Sequence, residues 1–208
     1  MLKTRQEKFI LLLLVILLLP GCFGGGGPAT RFYLLSSIPE EGRRSAVPDR
    51  ALAIGVGPVR FPDYLDRPEI ATGSNPNQLK LSEFHQWAEP LKNNFNRVLG
   101  ENLALSIPTD SIVSFPWDRS THIDYQVKLD VTRFLVDEQD NATLIARWRI
   151  VDWKEKKTVT FRKSDIQVPV DGSGYEAIAA AQSRTLAKLS EEIAGAIRLA
   201  AKSKADTP

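Results

Sequence analysis

The sequence predicts an α+β fold: a single domain with a mainly antiparallel sheet and two principal helices packed on one face. Three observations carry this. Between Tyr125 and Val170 the chain shows two runs of period-two alternation and a third strand-like run, joined by short polar turns, the pattern of an antiparallel meander. Two other stretches, starting near Pro90 and Ser173, repeat apolar residues at helical spacing. A single cysteine among 208 residues leaves no internal disulfide, so the domain must stand on its packing.

The chain opens with an export signal. Lys3, Arg5 and Lys8 precede an unbroken apolar run from Phe9 to Leu19, too short for a comfortable membrane span, and small residues follow. Cys22 comes directly after Leu19-Pro20-Gly21, which resembles the bacterial lipobox. The expected organisation is a signal peptide over 1–21, a lipidated Cys22 with a flexible Gly-rich tether over 22–30, the folded domain over 31–201 and a loose polar tail over 202–208. Phe23 stands where an Asp would signal inner-membrane retention, so the expected address is the outer membrane. The signal carries three of the 27 basic and one of the 25 acidic residues, leaving 24 of each in the mature chain. A balanced charge gives no nucleic-acid footprint.

Along the mature chain, Arg31–Ser36 reads as a first strand and Ser37–Arg50 as a polar loop. Ala51–Val56 reads as a buried strand. Pro58 to Pro68 reads as a rigid loop, because each proline fixes φ and removes a donor. Glu69–Thr72 and Gln78–Phe84 flank the turn cluster Gly73-Ser74-Asn75-Pro76-Asn77 and predict a hairpin leading into Trp87. Pro90 suits a first helical turn; Leu91, Phe95, Val98, Leu99 and Leu103 then form one apolar stripe, and Pro108 ends the element. Tyr125 to Val131, Leu144 to Ile150 and Val159 to Val170 are the meander strands. Arg147 and Arg149 on its polar side read as a solvated face. Ser173 and Glu176 stand at capping-box spacing. The stripe that follows, Tyr175, Ile178, Gln182, Leu186, Leu189, Ile193 and Ile197, predicts a helix that covers the sheet or pairs with a second copy of itself.

Catalytic and metal signatures are lacking. His85 and His122 are not spaced as a metal pair, and no cysteine remains once Cys22 is acylated. No Gly-x-Ser-x-Gly elbow is present, and Gly55-x-Gly57 runs into Pro58 instead of a phosphate-binding helix. No metal and no cofactor is expected. Carboxylate pairs such as Asp63 and Asp66 leave a periplasmic hydrolase as a minor alternative.

Val56-Gly57-Pro58-Val59, Pro62-x-Tyr64-Leu65-Asp66-Arg67-Pro68 and Phe84-His85-x-Trp87-Ala88-Glu89-Pro90-Leu91, in that order behind a lipobox, resemble the PqiC family, the ABC-type transport auxiliary lipoprotein component. The similarity runs from Arg31 to about Ala200. It departs at Ala71-Thr72-Gly73, where a basic residue is expected. The resemblance implies an outer-membrane lipoprotein, lipid-anchored through Cys22 on the periplasmic side, that docks on an MCE-domain periplasmic protein and serves intermembrane lipid transport. It also implies no enzyme activity.

On that reading Phe61 to Pro68 and His85 to Pro90 form one docking surface. Tyr64, Leu65 and Trp87 are its packed anchors; Asp66, Arg67 and Glu89 set orientation, and Phe61 and His85 belong to the same partner-binding set. The competing expectation is that the aromatics plug the protein's own core. The functional alternative is an assembly factor or structural envelope tether with no lipid pathway.

Overall fold

The computed structural model describes residues 28–39, 52–75, 77–107, 109 and 111–206. The expected signal peptide, Cys22 with most of its tether, and Pro108 lie outside the described residues. Strands β1 (Arg31–Tyr33), β2 (Ile54–Arg60), β3 (Glu69–Asn75) and β4 (Gln78–Trp87) precede helix α1 (Leu91–Ser106). Then come β5 (Ile112–Ser114), β6 (Tyr125–Val136), β7 (Asn141–Asp152), β8 (Lys157–Pro169) and helix α2 (Gly174–Ala205).

The strands form one eight-stranded sheet. The meander is as expected: Leu129 opposes Trp148, Val127 opposes Ile150, and Trp148 opposes Arg162. Strands β3 and β4 make the expected hairpin. The sheet is nevertheless mixed. Strand β2 runs parallel to both β5 and β6, β1 runs parallel to β4, and β3 touches β6 in parallel at Thr72 and Val136. Such pairings join distant segments, whose alternation carries no signature of the partner.

Both helices lie on one face. Helix α1 packs on β2 and β5, α2 packs on β6, β7 and β8, and the helices touch each other. Phe95, Leu99, Trp148, Leu186 and Ile193 are enclosed between these layers. Gln182, at 2 % exposure, donates through Nε2 to the Phe134 carbonyl of the sheet. The long helix therefore covers the sheet, the first of its two expected arrangements. The opposite face of the meander carries no helix.

Three local expectations change. Strand β2 continues through Pro58 to Arg60. Proline is tolerated here because the register shifts between Val56 and Val59, as strand prolines require; Gly57 takes the bend at φ +114, a conformation that favours glycine. Ser173 is the residue before α2, as its spacing predicts, but its side chain makes no capping bond. Helix α2 also runs on to Ala205 instead of ending near Ala201, because Lys204 reaches the enclosed carboxylate of Asp152 at 2.5 Å.

Candidate functional site

The chain between β2 and β3 lies beside the middle of β6. Its first residues are fastened inward. Phe61 meets Phe95 and Phe134 edge-on, with ring centroids 5.1 and 6.4 Å apart. Pro62 opens a single 3-10 turn, Asp63–Leu65, in which the Leu65 N–H donates to the Pro62 carbonyl at 2.9 Å and the Asp66 N–H to the Asp63 carbonyl at 3.1 Å. Leu65 is buried at 3 % exposure. A proline and an enclosed leucine thus fix both ends of the turn, while Asp63, Tyr64, Asp66 and Arg67 stay outside.

Tyr64 is 37 % exposed and its hydroxyl donates to the Thr132 carbonyl at 3.1 Å. Partial burial pushes its phenol above the ordinary value, against the opposing pull of Arg133, so the hydroxyl remains a donor at neutral pH. Arg67 forms an ion pair with Glu69 at 3.3 Å. Asp66 projects from the turn without an ion pair among the described residues.

The second stretch ends β4. Trp87 is buried at 5 % exposure, and its backbone N–H donates to the Pro68 carbonyl at 2.7 Å. His85 is stacked on Tyr175 with centroids 4.0 Å apart at 12°, and its Nδ1 shares a 2.7 Å hydrogen bond with the Tyr33 hydroxyl. Glu89 Oε1 accepts from Asn94 Nδ2 at 2.8 Å and from Arg97 Nη2 at 2.9 Å. Asn94, fully buried, in turn accepts the Leu35 N–H at 2.7 Å.

The structure therefore brings the two sequence stretches together, through the Trp87–Pro68 bond and the pairing of Glu69 with Gln86. It divides their residues differently from the expectation. Leu65 and Trp87 are buried in the core, and Phe61 is half-buried against it beside Phe95 and Phe134. His85 and Glu89 are occupied in holding β1 and α1. Tyr64, Asp66 and Arg67 remain as the outward-facing set. Among the described residues no group of three or more His, Cys, Asp or Glu is gathered as a metal site. Sequence reading missed Tyr33, Asn94, Thr132 and Tyr175 as supports; Tyr33 lies 52 positions from His85, and no local spacing links them.

A further feature explains the glycines of β2. A Cβ on Gly55 would stand 2.8 Å from the Trp117 ring, so the segment after β5 closes over the sheet only because that residue is glycine. Trp117 in turn meets Phe115 and Trp153 edge-on at 5.4 and 5.7 Å.

Comparison with known proteins gives a consistent result. The family model described as ABC-type transport auxiliary lipoprotein component matches residues 33–194. The crystal structure of protein XCC0632 from Xanthomonas campestris is similar at TM-score 0.67 and 18% identity, over 86% of this chain and 98% of that one. The crystal structure of an uncharacterized protein is similar at TM-score 0.65 and 18% identity, over 81% of this chain and 99% of the other. At these identities the likeness is one of fold. PelC from Paraburkholderia phytofirmans, crystallised as a dodecamer, stands at TM-score 0.42 and 13% identity over 70% of this chain and 91% of that one, too distant to carry an inference. No curated protein matches the chain significantly.

Proposed function

The chain belongs to the ABC-type transport auxiliary lipoprotein component family, and from that premise we propose that it is an accessory of an MCE-type intermembrane lipid-transport system, held at the periplasmic face of the outer membrane by an acylated Cys22. Its task is to dock an MCE-domain tunnel protein at the membrane that donates or accepts lipid. The observation that supports this most is the build of the Asp63–Arg67 turn. Its interior residues are locked into the core while Tyr64, Asp66 and Arg67 face outward on a backbone that has little freedom left to lose on binding.

Tyr64 supplies the amphipathic contact, with an apolar ring and a hydroxyl already satisfied by Thr132. Asp66 and Arg67 supply one charge of each sign, which fixes orientation and association rate more than affinity. Phe61, Leu65 and Trp87 act behind the surface by holding the turn in place. The site is read as a binding surface and not as a reaction centre: His85 and Glu89, its titratable members nearest the core, are committed to Tyr33, Asn94 and Arg97.

The test is a photo-crosslinking amino acid at position 66 in the full chain, expressed in intact envelopes. An MCE-domain protein in the crosslinked product supports the proposal. Crosslinks to cell-wall or assembly components without an MCE-domain protein would favour an assembly factor or structural tether.

A further inference from the structure

The mature chain is balanced in charge, yet its charges are not evenly spread. Register places Arg60, Lys128, Arg133, Arg147, Arg149 and Lys163 on the helix-free face of the meander. Lys128 opposes Arg149, and Arg147 opposes Lys163, so cations stand directly across from one another. Like charges at such positions are destabilising in isolation. The acids on the same strands and face are Asp130 and Asp165. Among the described residues only Arg60 of the six cations is ion-paired, to Asp130 at 3.8 Å.

Apolar groups border this basic field. Phe161 is directly opposite Arg149 and 66 % exposed. At the other border Trp117 lies over Gly55, with Phe115 49 % exposed beside it. Lys156 Nζ sits 3.2 Å above the Trp153 ring. Unpaired cations interleaved with protruding aromatics on a broad sheet face match the chemistry of a phospholipid surface: anionic phosphates outside and an apolar boundary just beneath.

We propose that the helix-free face of β6, β7 and β8 binds the anionic headgroups of a phospholipid bilayer, with Phe161 entering the headgroup boundary. A bilayer is favoured over an acidic protein because the field is wide, carries exposed aromatics at its borders, and belongs to a member of a lipoprotein family. Five of its six cations, Lys128, Arg133, Arg147, Arg149 and Lys163, lie on the meander strands, and none of the six belongs to the Asp63–Arg67 turn, so the contact uses residues other than those proposed for partner docking. It would orient the domain on the membrane, which an acyl tether alone leaves free to rotate.

The full chain is reconstituted into vesicles of phosphatidylcholine, or of phosphatidylcholine with phosphatidylglycerol, and its arginines are modified with phenylglyoxal and mapped by mass spectrometry. The expected result is modification of Arg147 and Arg149 slowed about tenfold by phosphatidylglycerol and restored by high salt, while Arg198 on α2 is unaffected. In a chain carrying Arg147→Glu and Lys163→Glu, with unchanged melting temperature, the protection of Arg149 disappears. Equal modification in both vesicle types would overturn the proposal. So would equal protection by inorganic phosphate in phosphatidylcholine vesicles, which would mean simple anion binding, or protection seen only with envelope proteins present. None of these readings depends on an MCE-domain partner.

Discussion

The Trp87 backbone N–H donates to the Pro68 carbonyl at 2.7 Å, tying the end of β4 to the end of the segment that carries Tyr64 and Arg67. The indole itself is enclosed in the core at 5 % exposure. Trp87→Ala is therefore expected to act through folding. Truncating a large enclosed aromatic costs about 3–5 kcal/mol, so thermal unfolding and partner capture should fall together. Loss of partner capture with an unchanged melting temperature would show that Trp87 is a contact and not a support.

The helix layer makes a second prediction. Leu186 is fully buried between α2 and the sheet, and Phe95 packs edge-on against Phe134 at 5.4 Å. Leu186→Ala should destabilise the domain by about 2–5 kcal/mol. Phe95→Asp would place a charge in the same layer without a partner, which is more costly still, and should prevent cooperative folding. Denaturant unfolding with linear extrapolation gives the Leu186→Ala cost, and the absence of a cooperative transition marks Phe95→Asp.

Asp152 carries a pH signature. Burial pushes its carboxyl up, but Lys204 and the backbone N–H groups of Glu155 and Lys154 prevail and hold it below the ordinary aspartate value of 3.8. A depressed native value stabilises the fold above the unfolded pKa, and that contribution is lost as pH falls through the native one. Lys204→Gln should lower the melting temperature at neutral pH. The gap between the two proteins should then narrow as pH falls below about 4. A gap independent of pH would place the Lys204 effect elsewhere, in the last turn of α2.

Membrane attachment makes a fourth prediction. No helix among the described residues is long and apolar enough to cross a membrane, whereas stable lipid anchoring normally needs more than one acyl chain. With Cys22→Ser, exported behind a cleavable signal in place of residues 1–21, the folded domain should move from the detergent phase to the aqueous phase on phase partitioning. Retention in the detergent phase would mean that acylation of Cys22 is not the anchor.

Much of the fold was legible because it is local. Period-two alternation located β6 and β7, the strand-like run after the polar turn at 154–157 located β8, and the stripes from Leu91 and Tyr175 located both helices. Parallel pairings were not legible, since Ile54 meets Tyr125 across 71 positions and alternation names no partner. The prolines misled in β2, where Pro58 sits at a register shift that excuses its missing donor. At the candidate site the two motifs were legible as units, and the structure joins them. Their division into supports and exposed residues was not: an aromatic in a loop looks the same in sequence whether it plugs the core, as Phe61 does against Phe95, or stays outside, as Tyr64 does. The segregation of cations was also hidden, because overall charge is balanced and Arg147 and Arg149 meet Lys128 and Lys163 only through the sheet.

The most direct test of partner docking is thermal unfolding measured beside partner pull-down on one preparation of the chain carrying Tyr64→Ala and Arg67→Glu. In the folded protein these changes remove one exposed hydrogen bond and one surface ion pair, worth at most about 1 kcal/mol each. At an interface a central aromatic is worth roughly 2 kcal/mol or more, about thirtyfold in affinity. The predicted result is a melting temperature within a few degrees of the parent's and loss of the MCE-domain protein from the pull-down. Undiminished capture of that partner by a normally folded variant would contradict docking through the Asp63–Arg67 turn.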